Sequence, residues 1–419
     1  MKHYIRKFEL NKAVKYALSL FEQKANELTV SGKKVSELMK DKDVPAYIYD
    51  SSIIRHKHEL LRKYIPNEID IYYAVKANPY VPVLRLIGKL YDGLDIASMG
   101  EMKNALEAGI PAEKMSIAGP GKSIKELKYI IDKNIGSISV ENEGELNHIR
   151  HLTGQLNKKA RIMLRVNPDF GLTKSGMKMG GGPKQFGIDS ERIPGIINEI
   201  KNWNTVELLG IHIYAGSQIL EADSILESFG KIFEYAKNLK TKSGVLFPKI
   251  NLGGGFGIPY FANDEPLNLE KVGTGLQEIF TNYKTDFPET KFNIELGRYI
   301  VGEAGIYASK ILYRKISRGQ VFLIINGGMH HHLAASGNFG QSLVRRPFPM
   351  AIINKLNGPL EKVNVVGPLC TPLDTFGWGI ELPGAEEGDY LAVMNSGAYG
   401  FSASPMDFLS HGKPLEIII

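Results

Sequence analysis

The spacing of apolar positions divides the chain into three stretches. From residue 69 onward, short apolar runs rich in β-branched and aromatic residues alternate with segments whose apolar positions recur at helical spacing. The runs at 69–75, 93–98, 115–119, 137–142, 160–167, 208–214, 249–254 and 292–297 predict strands, and segments such as 124–131 and 225–236 predict helices between them. Strands and helices alternating in this way predict an α/β fold, a (β/α)8 barrel over 46–300. A doubly wound open sheet is the competitor. It would carry a Gly-rich phosphate fingerprint after its first strand, where this chain has Lys76. After Arg298 the pattern changes: 301–314, 321–325, 363–366, 390–394 and 415–419 read as strands separated by Gly/Pro turns, an all-β domain over 301–419. Residues 1–45 form a lead-in that partly joins this β-domain. Val14, Ala17, Leu18, Phe21, Ala25 and Leu28 have helical spacing within it. The run at 44–49 is strand-like, and Asp50-Ser51-Ser52 predicts the start of a helix that ends before Pro66.

Composition narrows the class. The chain of 419 residues is 43% hydrophobic and 23% charged, ordinary for a globular protein. No run approaches the ~18 apolar residues that span a bilayer. The start, Met1 to Lys7, lacks the apolar core of a signal peptide, so a cytoplasmic location is expected. The net charge of +6 is dispersed, with no basic tract interleaved with aromatics, which argues against nucleic-acid and membrane partners. The single cysteine, Cys370, allows no intrachain disulfide and fits a reducing compartment.

Candidate chemistry falls at the C-terminal ends of the predicted strands, where barrels carry their sites. The first strand stops at Lys76, followed by Ala77-Asn78-Pro79. A lysine emerging from a buried strand can have its neutral, nucleophilic amine favoured by desolvation, or it can simply reach for water. The second strand carries Asp95 and Ser98, with Glu101 just after. Later strands end in Arg165-Val166-Asn167-Pro168, Tyr214-Ala215-Gly216-Ser217, Gly253-Gly254-Gly255 and Glu295-Leu296-Gly297-Arg298.

The triple glycine lets backbone N–H groups approach an anion, or makes a tight turn; a dinucleotide motif would need glycine at Ile258. A P-loop around Gly121-Lys122-Ser123 would need glycine at Ser116, so Ser123 is read as a helix N-cap. His330-His331-His332, placed on a strand, would point to opposite faces, and no metal site is expected. Lys174 to Lys184 forms a basic loop, either solvated or a lid over an anionic substrate. Glu295 could hold a pyridine nitrogen protonated, or sit in a surface ion pair.

Together, Tyr-Ala-Val-Lys76-Ala-Asn, Asp95-Ile-Ala-Ser-Met-Gly-Glu101, Gly216-Ser217-Gln218, Gly253-Gly254-Gly255-Phe256, Glu295-Leu-Gly-Arg298, Gly367-Pro368-Leu369-Cys370 and Gly397-Ala398-Tyr399 resemble, over nearly the whole chain, the fold-type III pyridoxal-phosphate decarboxylases. That family includes diaminopimelate, ornithine and arginine decarboxylases. The resemblance implies a barrel that binds pyridoxal 5'-phosphate (PLP), followed by a β-domain. It implies that Lys76 is the Schiff-base lysine and that Glu295 partners the ring nitrogen. Ser217 and the backbone of Gly254, Gly255, Gly297 and Arg298 would cradle the phosphate, with the Tyr399 hydroxyl. Asp95, Glu101 and Arg165 would surround lysine and ring. Arg298, Thr371, Asp374 and His330 fall at substrate positions. Cys370 would come from the second subunit of a head-to-tail homodimer and guide protonation of the carbanion, making each active site composite.

The sequence also departs from the family. Where members stack a histidine on the ring, as His-x-Gly-Ser, this chain has Tyr214, with His212 two residues earlier. Diaminopimelate decarboxylases follow their cysteine with Glu-Ser; here Thr371-Pro372 follows. They place Arg and Tyr soon after Gly-Gly-Met; here the three histidines follow, and the next arginines are Arg345 and Arg346. The pieces Lys-Met-Gly-Gly-x-Pro-x-Gln-Phe-Gly, Gly-Gly-Met-His-His-His and Gly-Pro-Leu-Cys-Thr-Pro resemble a subgroup of natural-product pathways. It includes butirosin-type enzymes that act on a glutamyl group held on an acyl carrier protein. The expected activity is PLP-dependent α-decarboxylation of an amino acid, with the substrate tethered to such a carrier. A meso-diaminopimelate decarboxylase of lysine biosynthesis is one alternative. An amino-acid racemase is another, disfavoured because racemases of this type hold the ring nitrogen with arginine.

Overall fold

The computed structural model describes residues 10–170, 177–178, 181–337 and 346–419. The chain forms two compact units: the described residues of Met1–Arg55 with Pro259–Glu265 and Ile300–Ile419, and His56–Ile258 with Pro266–Tyr299.

The second unit is a closed parallel barrel. Its strands are β1 (Ile69–Ala74), β2 (Gly93–Ile96), β3 (Met115–Ile117), β4 (Ser137–Val140), β5 (Ala160–Asn167), β6 (Val206–His212), β7 (Lys249–Gly254) and β8 (Lys291–Leu296). Each pairs with the next, and β8 closes on β1 through Asn293 opposite Asp70 and Glu295 opposite Tyr72. The expected strands therefore form the barrel, within a residue or two at their ends.

Helices cover the outside. On β8, Phe292 packs on the rings of Phe233, Phe280 and Phe287 at 4.9, 5.6 and 6.0 Å. Side chains alternate along a strand, so Asn293 and Glu295 point into the barrel. The covering helices start where their caps dictate. Ser98 accepts the Glu101 N–H, Asn142 the Glu145 N–H and Asn268 the Lys271 N–H. Ser123 and Glu126 form a reciprocal capping box. Each cap contributes about 1 kcal/mol by satisfying an otherwise orphaned donor.

The other unit is built on a mixed sheet in the order Met350–Ile352, Tyr390–Val393, Gly305–Ser317, Gln320–Ile325, Leu360–Val366 and Thr375–Pro383. Ala46–Tyr49 joins this sheet. It runs antiparallel to Gly305–Ser317 and parallel to Leu415–Ile418. This strand was expected in the barrel stretch, but all four of its residues are buried, as suits a central strand with neighbours on both sides.

The lead-in also differs from expectation. Its helix is only Lys12–Ser19, and Gln23–Lys24, Glu27–Val30 and Lys33–Lys34 make a small antiparallel ribbon. Ala25 and Asn26, at φ 51° and 67°, form the tight turn that ends any helical run. The expected strand 301–314 begins at Gly305, after a short helix Arg298–Val301. The strands Met350–Ile352 and Thr375–Pro383 are additional. The three histidines lie in a turn, not on a strand: His331 and His332 N–H both donate to Gly328 O. Among the described residues no helix is long and apolar enough to cross a membrane.

Candidate active site

One end of the barrel gathers the chemistry-bearing residues. β1 passes into a 3-10 turn, Val75–Ala77, which lifts Lys76 out of the strand. The lysine is exposed there, so protein atoms alone do not desolvate it. Its Nζ lies 5.6 Å from the centroid of the Tyr214 ring.

Asp95 is buried on β2. Its carboxyl is pushed well above the usual range by burial and then by the negative charge of Glu295, while Lys76 and Arg165 pull the other way. Glu101 accepts the Ala97 N–H at 2.7 Å; burial raises its carboxyl, and that bond and the charge of Lys76 oppose the rise.

Arg165 on β5 is held by a buried carboxylate. Its guanidinium donates to Glu141 Oε1 at 2.7 Å and lies 4.8 Å from the Phe186 ring centroid. Glu141 also accepts the N–H groups of Gly119 and Gly187, at 2.7 and 2.9 Å. Burial alone would raise Glu141, but the charge and hydrogen bond of Arg165 outweigh it and leave the carboxyl lowered. Beside this pair, Lys122 meets Glu145 at 2.8 Å, both nearly sealed from water, and Lys122 donates to the carbonyls of Gly119 and Ser139. The P-loop-like lysine is thus a buried ion-pair partner, and Ser123 caps its helix as expected.

The three glycines are required by crowding. A Cβ on Gly254 would stand 1.9 Å from Glu295 O, and one on Gly255 2.1 Å from Gly216 O. Gly253 and Gly255 have φ of 69° and 87°. Gly297 is confined by Ala77 Cβ and Ala74 O, at 2.9 and 3.1 Å from an added Cβ. Ser217 stands in a short strand with Gly216, antiparallel to Met177–Lys178. In the same basic loop, Gly182 O accepts the Asn167 amide at 3.0 Å. Lys184 is exposed, and Lys174 lies outside the described residues.

Glu295 is buried at the end of β8. Its Oε1 accepts the Asn251 amide, and its Oε2 stands 3.6 Å from His212 Nε2. Tyr72, opposite Glu295 on β1, accepts from Lys249 Nζ at 3.0 Å. Burial lowers Lys249 to about 8, against the charges of Asp70 and Glu295.

These residues suit a pyridine cofactor carrying an aldehyde and a phosphate. They offer a primary amine, a buried carboxylate on the neighbouring strand, an aromatic face beside the amine and a backbone cradle that any Cβ would fill.

The remaining candidates belong to the other unit. Cys370 is exposed and Thr371 partly so. Asp374 is buried, and its two oxygens accept the N–H groups of Met329 at 2.6 Å and Leu369 at 2.9 Å. Burial raises it to about 6 against those bonds. The carboxylate therefore ties two loops together. Gly328 and Gly367 pack so closely on it that a Cβ would come within 2.6 and 2.2 Å of its oxygens. His330 is buried, 3.7 Å from the His331 ring and 5.1 Å from His411. Tyr399 holds φ 56°, a strained value for a residue with a bulky side chain.

Sequence reasoning missed Glu141, Glu145 and Asn251. The first two sit in a Glu-Asn-Glu-Gly-Glu stretch that also reads as a helix start, and nothing local distinguishes a buried carboxylate from a capping one.

Comparison with known proteins adds a name to this geometry. Residues 51–302 match the pyridoxal-binding domain of pyridoxal-dependent decarboxylases. The chain is 38% identical over 390 residues, 92% of its length and 91% of the relative's, to the L-glutamyl-[BtrI acyl-carrier protein] decarboxylase of Niallia circulans. It is 33% identical to the diaminopimelate decarboxylase of Aquifex aeolicus over 91% of this chain and 88% of that one. The crystal structure of diaminopimelate decarboxylase from Helicobacter pylori complexed with L-lysine superposes with a TM-score of 0.82 at 28% identity, covering 92% of this chain and 94% of that one.

Proposed function

The chain belongs to the pyridoxal-dependent decarboxylases, and on that premise we propose that it removes the α-carboxylate of a glutamyl group carried on an acyl carrier protein. The observation that carries the cofactor reading is the pairing of β8 with β1. It sets the Lys76 amine and the buried Glu295 carboxylate at the ends of adjacent strands, above a cradle only glycine can line.

Bound there, PLP supplies an electron sink for the pair left when CO2 departs. The residues of the chain do the rest. Lys76 anchors the cofactor. Gly254, Gly255, Gly297, Arg298 and Ser217 hold its phosphate, with Tyr399. Tyr214 covers one face of its ring, and Asp95 and Arg165 flank it. Glu295 keeps the ring nitrogen protonated, since opposite charges within hydrogen-bond reach favour both charged forms. Cys370 Sγ holds the proton for the substrate carbon. Thr371, Asp374, His330 and Arg298 stand at substrate positions, with Asp374 acting as a loop tie that shapes the region.

The tethered glutamyl substrate is supported by the Niallia circulans relative and by the absence of an acidic residue after Cys370. The basic 174–184 stretch would suit an acidic carrier. A homodimer is proposed too, with Cys370 of one chain serving the barrel of the other. Tyr313, Ile316 and Trp378 are large apolar side chains left 60, 67 and 49% exposed, surface that a second copy would cover. A reducing cytoplasm would keep Cys370 a thiol.

The second reading, decarboxylation of free meso-diaminopimelate, is favoured by relatives such as the Aquifex aeolicus enzyme. CO2 release by PLP-loaded protein decides between them. Release from glutamyl-charged carrier protein and not from meso-diaminopimelate is expected; the reverse overturns the tethered reading. In the same preparation, borohydride should fix PLP onto the wild-type chain and not onto Lys76→Ala. Equal fixation would remove Lys76 from its role.

A further inference from the structure

His212 ends β6 one inward-facing position below Tyr214, because residues two apart on a strand share a face. Its imidazole is only 1% exposed. Nδ1 lies 2.9 Å from Ser139 Oγ, and Nε2 faces Glu295 Oε2 at 3.6 Å with no hydrogen-bond partner of its own. On the other side of the carboxylate, Asn251 Oδ1 accepts the Gly253 N–H at 2.9 Å, which fixes its amide nitrogen toward Glu295 Oε1. Glu295 is therefore gripped between an amide and an imidazole.

The tautomer follows from what faces each nitrogen. A proton on Nδ1 would leave the Nε2 lone pair against a carboxylate oxygen. A proton on Nε2 puts a donor against that acceptor and lets the Ser139 hydroxyl donate to Nδ1. Burial keeps the ring neutral, lowering it to about 4. Glu295 and Glu141 oppose this, and Arg165 and Lys76 reinforce it. Those four charged groups, from β8, β5 and the ends of β4 and β1, are the ones that act on it.

We propose that His212 is a positioning residue for Glu295, its Nε2–H holding Oε2 so that the carboxylate stays ionised and aimed at the ring nitrogen of a bound pyridine. This rests on the reading of Glu295 as the partner of that nitrogen. At 3.6 Å the contact is electrostatic and longer than a hydrogen bond. The chain thus places an imidazole behind the carboxylate and leaves Tyr214 as the stacking face.

The test begins without cofactor. Nitrogen-15 NMR of the wild-type apo chain, with the His212 signals identified by their loss in His212→Gln, should show a neutral ring protonated on Nε2, perturbed by Glu295→Gln. An Nδ1-protonated ring overturns the proposal. In PLP-loaded protein, His212→Leu should shift the pH titration of the cofactor's visible absorbance. It should lower kcat about 10- to 100-fold, as loss of an outer supporting residue does, with KM little changed. His212→Gln, whose amide reaches the Nε2 position, should restore both. A His212→Leu titration that overlays the wild type overturns the proposal, and so does a Gln variant no better than Leu. If Leu does not fold, the Gln variant against the wild type and the NMR tautomer still decide. Failure of borohydride to fix PLP on the wild type would sink the cofactor reading instead, leaving the His212–Glu295 contact to be judged by NMR alone.

Discussion

At the mouth of the barrel, two buried carboxylates face buried cations, and for Glu141 the attraction outweighs the cost of burial and leaves the carboxyl lowered. Glu141 meets Arg165 and two backbone N–H groups, and Glu145 meets Lys122. Around the triple-histidine turn of the β-unit, buried ionisable side chains give up their charge. His330, His331 and His332 are lowered to about 3, 4 and 3, in each case first by burial. His331 and His332 still bond, to Gly412 O and Tyr307, and to Ser396. Neither ring nitrogen of His330 has a hydrogen-bond partner. The same desolvation is offset by Coulomb attraction at Glu141 and by neutralisation at the three histidines. The first builds a field that can act on a ligand. The second builds a packed polar wall without one.

The comparison can be broken most forcefully at Glu141. Glu141→Ala leaves the Arg165 guanidinium buried without its partner, and removing one member of a buried pair costs about 3–5 kcal/mol. Urea unfolding should show a loss of that size; a change under about 1 kcal/mol would mean the pair is solvated in solution.

The next effect is on pH. A histidine lowered on folding binds its proton more readily in the unfolded chain. Its contribution is therefore intact above the unfolded value near 6.5 and is lost as pH falls toward the folded value. Between pH about 6.5 and 4 each such histidine should cost up to about 1.4 kcal/mol per pH unit. Asp374, raised to about 6 by burial, works the other way below that pH and cancels part of the slope. Thermal melts across this window should fall steeply, and His330→Phe should flatten the fall by about one proton. An unchanged slope would mean His330 is protonated in the fold.

The smallest effect tests an element outside both regions. Ser123→Ala removes the capping box beside Lys122 and should cost about 1 kcal/mol in the same melts without altering the acid slope.

The barrel was legible because its strands are short local apolar runs that alternate with amphipathic helices. Lys76, Asp95, Arg165, Tyr214, Ser217 and Glu295 were legible because they sit at the end of each run, where a barrel must place them. Gly253 to Gly255 could be flagged but not explained, since the backbone pressing on them comes from the segment after β6 and from β8. What stayed hidden depends on long-range pairing. Glu141 looks like any acid at a helix start until Arg165 is brought to it, and His212 looks like a core histidine until Glu295 faces it. The position of Ala46–Tyr49 was misread because its apolar run suits either unit; only its two partner strands decide.

That strand also constrains how the molecule is made. Ala46–Tyr49 lies between Gly305–Ser317 and Leu415–Ile418. Emerging early from the ribosome, it must wait unpaired while the whole barrel segment is translated. An apolar strand left with two open edges is a template for pairing with a neighbouring chain, and contacts this distant in sequence close slowly. Nascent chains arrested before residue 415 are expected to be the aggregation-prone species, because Leu415–Ile418 is what covers one edge of Ala46–Tyr49.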